Sequence, residues 1–456
     1  MVVRAKITGP CHAAIAAVIA LLALAAQGPA RVMAAESKSE QNDASSLIAR
    51  GEKSHEKGRF DEAVAAYTDA LKLDADNRDA LCGRARVYLD TSKFDLALAD
   101  VNRAIALDEE DSEAIALRGM AYSEQGETTK ALTDFEKAID LDPENGEAYV
   151  GRSQAYFDDD QLDKALADAN KAVQLDANDS DALEMRGNIY REMGEFGKAI
   201  ADYDAALKIE PEDVDVLMGR AMAYLGKGDA EKAVADADEA VRLAPKSDEP
   251  LTTRGTIYLE TGDFDKAIGD FSAALKLDAE NGDALVGRGQ AHFEKQDLDK
   301  STADVEAALK LDAQDADALA LRGWIRFAQQ KQDDALADFS AAIKIDPDQD
   351  KARRGRSAIY LERGELKLAL ADADAAIRLN PHEPDAFYIR GRIHAGQEHW
   401  KEAIADYSKA IAIHPGFAQA YGRRAVAYDN AGEKEKAQSD RAKAKELRSK
   451  QKGSKS

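Results

Sequence analysis

The chain has 456 residues, 62 Lys plus Arg against 86 Asp plus Glu, a formal charge of −24, 45% apolar residues and two cysteines. Nearly half of the residues can enter a core, and 30 Gly with 10 Pro is too few for a collagen or a Pro/Gly-rich linker, so a disordered or fibrous chain is excluded. The negative balance opposes binding to a phosphate backbone, which relies on Lys and Arg displacing counterions, so no nucleic-acid partner is expected.

Arg4 and Lys6 precede an uncharged apolar stretch from Ala13 to Ala26, followed by Gln27, Gly28, Pro29 and the small-residue exit Val32-Met33-Ala34-Ala35. That order is the layout of a secretory signal. The apolar run falls short of the roughly 20 residues needed to cross a bilayer core. Residues 1–34 therefore read as a cleaved signal peptide, cut after Ala34 or after the neighbouring Ala35. Cys11 lies before the apolar run, not at its exit, which gives a lipid anchor no support. Residues 35–43 read as a linker, and the mature chain is expected to be secreted or periplasmic with Cys82 as its one thiol. A cysteine of that kind is ordinarily a buried helix residue. Cys11 and Cys82 together supply neither a disulfide framework nor a metal cluster.

From Ala44 the sequence repeats every 34 residues without insertion. Arg stands at 50, 84, 118, 152, 186, 220, 254, 288, 322, 356, 390 and 424, marking twelve units over residues 44–451; residues 452–456 form a basic tail. Each unit predicts two helices. In Asp181 to Glu192, Leu183, Arg186, Gly187 and Tyr190 share one helical stripe, and Gly194 breaks the chain. In Lys198 to Ile209, Ala199, Tyr203, Ala206 and Leu207 share a second stripe before Glu210-Pro211 stops it. No single pair of this kind can bury its apolar face without neighbours, so the fold class is all-α and the architecture a solenoid of twelve helix-turn-helix units.

The period, the Gly or Ala at the small positions, the Tyr near the end of the first helix and the Pro after the second resemble the tetratricopeptide repeat family over residues 44–451. The bulky residue that opens the family's first helix is Trp in the consensus but Leu, Ile, Tyr or Phe here, and Arg353 in the tenth unit. The resemblance implies a right-handed superhelix whose first helices line a concave groove for peptides or other proteins. Some members hold chaperone C-termini through Lys and Asn at set groove positions. Here those slots hold Ile48, Glu52, Gly83 and Glu113, so that clamp is not reproduced.

Charges recur in register. Eleven units carry an Asp sixteen residues after the Arg, from Asp100 to Asp440, and only Ala66 breaks the series. Pairing within each unit strands only Arg50, so a ladder of intra-repeat pairs between the two helices is expected. Acids also open most first helices, at Asp79, Glu113, Glu147, Asp181, Asp215, Glu249, Asp283, Asp317 and Asp385, where they complement the helix dipole. A second acidic row lies near the first-helix ends, at Glu56, Asp90, Glu124, Asp158, Glu192, Glu260, Glu294 and Glu362. A negative groove over units one to eight follows.

No catalytic signature is present: there is no GxGxxG, Walker or GxSxG pattern, and His394 with His399 lacks the HExxH spacing. His292 and His394 stand in the slot held by Tyr in other units and read as packing residues. Asp142 to Gly146 and Asp278 to Gly282 place Gly one position too early for an EF-hand and read as inter-repeat turns. No metal, cofactor or small-molecule substrate is expected. The function read from these features is a non-enzymatic, exported protein-binding scaffold or assembly factor. The alternative is the same solenoid tethered to a membrane by an uncleaved N-terminus. Units nine to eleven depart from the pattern, with Trp324, Phe327, Lys351, Arg354, Tyr388 and Arg392 at groove positions, and aromatic and Arg residues are favoured at hot spots. They form the candidate partner-binding site, expected to take a peptide with an acidic group and a bulky apolar side chain.

Overall fold

The computed structural model describes residues 43–453, so the signal, most of the linker and the last residues of the tail lie outside the described residues. The described residues form 24 helices in twelve pairs with no strand. They fall into two compact units, one ending at Pro211 with five pairs and one beginning at Glu212 with seven.

Local chemistry places the helix ends. An Asp or Asn side chain caps eight first helices by accepting a backbone N–H, at Asp43, Asn77, Asp111, Asn145, Asp179, Asp213, Asn281 and Asp315. Between the helices of every repeat one residue adopts a left-handed backbone. Gly fills it seven times, and Ser92, Asp160, Gln296, Gln330 and Glu398 accept the conformation elsewhere with φ of 54–64°. Within each unit, a second helix touches the first helices on either side of it, and consecutive first helices also touch one another. The first helices therefore form one layer and the second helices the other.

The Arg–Asp ladder takes the intra-repeat register. In all eleven repeats that carry the Asp, Nε and Nη2 of the Arg each donate to one carboxylate oxygen, at 2.6–3.1 Å. This is the side-on bidentate geometry that a guanidinium and a carboxylate favour. The third nitrogen does what the sequence reading missed. In eight repeats Nη1 reaches back to the second helix of the preceding repeat, as in Arg84 to Thr68, Arg254 to Asp238 and Arg424 to Ser408, at 2.7–3.4 Å over the set. One guanidinium thus ties three helices.

Packing reveals a longer period than 34. The six bulkiest fully buried side chains are Tyr67, Phe135, Tyr203, Phe271, Phe339 and Tyr407, all from second helices of odd-numbered repeats. Each ring lies against a glycine of its own first helix, and four lie against a second glycine in the next repeat as well: Tyr67 between Gly51 and Gly83, Phe135 between Gly119 and Gly151, Phe271 between Gly255 and Gly287, and Phe339 between Gly323 and Gly355. In four of the six even repeats the same position holds Val101, Ala169, Val305 or Ala373, and the space is taken by Leu117, Met185, Leu321 or Ile389 of the following repeat; repeat six has Ala237 followed by Thr253, and repeat twelve has Arg441. The volume alternates between helices, so the chemical repeat is two units long.

Two outcomes test this packing. Arg186→Ala should cost about 3 kcal/mol or more in denaturant unfolding, because Asp202 stays 7% exposed with its partner gone, whereas Asn178→Ala in a turn should cost little. A double-mutant cycle on Arg186 and Asp202 checks the coupling, and a value near zero would contradict the ladder. A Cβ on Gly151 would stand 2.5 Å from the Phe135 ring, so Gly151→Ala should destabilise by about 1–3 kcal/mol and lose most of that penalty in a Phe135→Leu background.

Candidate binding groove

The layer of first helices carries a groove in each unit. In the unit beginning at Glu212 it has a volume of about 940 Å³, and its walls come from the first helices of repeats six to ten. Its floor is mixed, with Met222, Thr253, Thr256, Val286, Gln290, Leu321 and Trp324. Asp283 and Asp317 stand on one side and Glu260 and Glu294 on the other, so both acidic rows of the repeat face the same space. With Asp312 and Asp315 the lining holds six carboxylates against one ammonium, Lys351. Burial, then the nearby Asp385 and Glu260, raise the Glu294 carboxyl above its ordinary range, while Gln290 and Arg354 act in the opposite direction.

The unit ending at Pro211 has a groove of about 680 Å³ lined by both rows again, through Asp90, Glu124, Glu147 and Asp181, over a floor that includes Leu117, Met120 and Val150. It differs in having its own guanidinium. Arg86 donates to Glu147 at 2.7 Å and to Glu113 at 2.9 Å, joining the acids that open the first helices of the next two repeats. Arg78 pairs with Asp111 and Glu113 on the same side. The expected negative lining is present in both units, but in this one it is partly neutralised from within.

The six residues singled out from the sequence are only partly brought together. Trp324 lines the groove, donates its indole N–H to the Lys351 carbonyl at 3.2 Å, and packs edge-on against Phe327 and Phe339. Phe327 is a part-buried packing residue behind it. Lys351 lines the groove with its ammonium 3.8 Å from Asp317. Arg354 is not an open cation: its side chain is 13% exposed and has Asp350, Glu383 and Asp385 within 3.5–3.9 Å. Arg353 turns back onto the Pro347 carbonyl and approaches Asp372, so it belongs with the ladder and is not solvated. Tyr388 packs on Phe417 and Tyr407, and Arg392 lies over its ring. Of the cations expected to attract an acidic peptide, Lys351 and Arg354 already face carboxylates of the chain, and Arg392 lies over an aromatic ring.

The remaining sequence readings fall on packing. Cys82 is 1% exposed, and burial pushes its thiol up to about 12, which removes thiolate reactivity. His292 is buried, and burial lowers its pKa. In the turns of Asp142 and Asp278, each side chain accepts the backbone N–H two residues on. No group of three or more His, Cys, Asp or Glu is placed to hold a metal among the described residues. None of their helices is long and apolar enough to cross a membrane.

Arg86 was missed because its row is variable, with Arg at only two positions, Arg86 and Arg392, and so carries no periodic signal. The signal that could have found it is the pair of acids 27 and 61 residues ahead, one and two repeats on with the helical offset added.

Comparison with known proteins agrees with this architecture. The crystal structure of the APC/C hetero-tetramer Cut9-Hcn1 contains a chain that is 13% identical, with a TM-score of 0.50 over 90% of this chain and 95% of that one. A tetratricopeptide repeat protein from Parabacteroides merdae is 21% identical, with a TM-score of 0.47 over 57% of this chain and 98% of that one. At 13% identity the likeness to the first concerns the fold alone. No curated protein matches the sequence. A tetratricopeptide repeat family model matches residues 56–112, 117–180, 184–248, 252–306, 297–350 and 355–416. Solenoids of this kind generally mediate protein–protein interaction and are typically non-catalytic. With the recurring helix pairs and ladder, these matches cover most of the sequence, and the chain belongs to the tetratricopeptide repeat family.

Proposed function

We propose that the chain is an exported, non-enzymatic scaffold or assembly factor that holds a protein segment on its first-helix layer, in a secreted or periplasmic setting. The observation that carries the reading is the groove of about 940 Å³ with Trp324 on its floor and a carboxylate row along each side. A concave surface that combines an aromatic anchor with ordered charges suits an extended segment. Trp324 and Lys351 are the proposed contact residues of the original six, with Phe327, Arg354, Tyr388 and Arg392 holding the surrounding helices in place. Export rests on the charged start, short apolar run and small-residue exit of residues 1–34.

A photocrosslinking residue at Gln290, in the groove, should capture a protein from the native envelope fraction. The same residue at Lys344, exposed on a second helix, should not. Capture from Lys344 alone would move the binding face to the second helices. N-terminal sequencing of natively expressed protein should begin at Ala35 or Glu36; an intact Met1 end recovered from membranes would favour the tethered alternative.

A further inference from the structure

The two grooves share one register but differ in one occupant. In the unit ending at Pro211, the side chain two residues after the ladder Arg of repeat two is Arg86, and its guanidinium lies between Glu113 and Glu147, the acids that open the next two first helices. Thr256 is the same position of repeat seven, and the acids that open the next two first helices are Asp283 and Asp317. All three line the larger groove, where Thr256 is too short to reach either acid and uses its hydroxyl on the Thr252 carbonyl at 3.0 Å. Two carboxylates that a guanidinium bridges in one unit have none between them in the other, where Asp317 accepts from the Gln349 amide at 3.2 Å and has the Lys351 ammonium at 3.8 Å but stays 60% exposed. Leu321 and Trp324 lie on the same floor beside them.

We infer that the groove of the unit beginning at Glu212 binds an extended, basic protein segment, placing an Arg or Lys of the partner between Asp283 and Asp317 over Thr256 and a bulky apolar side chain against Trp324 and Leu321. The inference rests on the reading that the first-helix layer is the binding face, and it names the chemistry of the partner. It reverses the sign expected from Lys351 and Arg354, because those cations already face Asp317 and Asp350, Glu383 and Asp385. Burying a second cation costs little only where carboxylates wait for it, and here the lining carries six against one.

The test uses the full mature chain at physiological ionic strength, where long-range attraction to its net negative charge is screened beyond roughly 8 Å. The probe is a short fluorescent peptide in which Arg alternates with Ser around one Leu, and its counterpart replaces every Arg by Glu. The Arg peptide should bind and the Glu peptide should not. Asp283→Asn with Asp317→Asn should weaken binding about tenfold, the effect of losing two charge-assisted contacts. Thr256→Arg should weaken it at least as much by placing the chain's own guanidinium where the partner's would lie. Glu231→Gln with Glu280→Gln, which removes the same charge at exposed sites outside the groove lining, should leave affinity unchanged. Thermal melting of each variant confirms folding. Equal binding of the Glu peptide, an unaffected Asp283/Asp317 variant, or no binding of either peptide would overturn the basic-segment inference. If crosslinks from Gln290 persist in that event, the binding-face reading survives it; if they arise only from Lys344, both fall.

Discussion

A carboxylate placed between two helices must meet a cation there, or its desolvation would cost more than the packing around it returns. Eleven Asp side chains of this protein are placed in that way, and each is met side-on by the Arg sixteen residues before it. A bidentate pair tolerates little rotation, so it fixes the register between the helices of a repeat. In eight repeats the remaining nitrogen of the guanidinium then reaches the preceding second helix, which carries that register onward to the next repeat. Everything presented by the first helices inherits its spacing from this chain of contacts. Repeat one, where Ala66 takes the acid's place, starts the series without a pair.

Packing adds a second rule on top of the first. A large ring from an odd repeat packs on a glycine of its own first helix, and in four repeats on a second glycine of the next first helix as well. Repeats two, four, eight and ten solve the same problem with a small residue on the second helix and a Leu, Met or Ile on the next first helix. Interiors are close-packed, so volume removed from one helix has to be supplied by its neighbour. The outcome is a family fold in which adjacent repeats are complementary and not equivalent. Truncations and repeat insertions in such a chain have a natural length of two repeats, since a single unit would set a ring against a Leu, Met or Ile, or gap against gap.

The groove follows from these constraints. Once the first helices are held in register, the residues five before and six after each ladder Arg form two acidic walls, and the residues between form a floor. The floor is free to vary because it does not take part in the ladder. Arg86 uses that freedom to close part of one groove from within, and Trp324 uses it to place an aromatic ring in the other. The two units thus have the same scaffold and different surface chemistry.

Much of this was legible in the sequence because it is periodic. The 34-residue spacing, the helix pair, the Arg–Asp register and both acidic rows each recur many times, so one misplaced residue could not hide them. Arg354 and Arg353 were legible only as charges. Their surroundings come from residues as far ahead as Asp385 and as far back as Pro347, and only the fold decides that three carboxylates enclose one and a carbonyl holds the other. The same holds for the glycine slots, where a ring and its two glycines come from three different helices. Sequence by itself determined the local rules of each repeat, since helix propensity, capping and the period act between residues close in the chain. Tertiary structure alone decided which charges are spent inside the molecule and which remain on the groove, because pairing depends on distance in space between residues that the chain keeps one or more repeats apart.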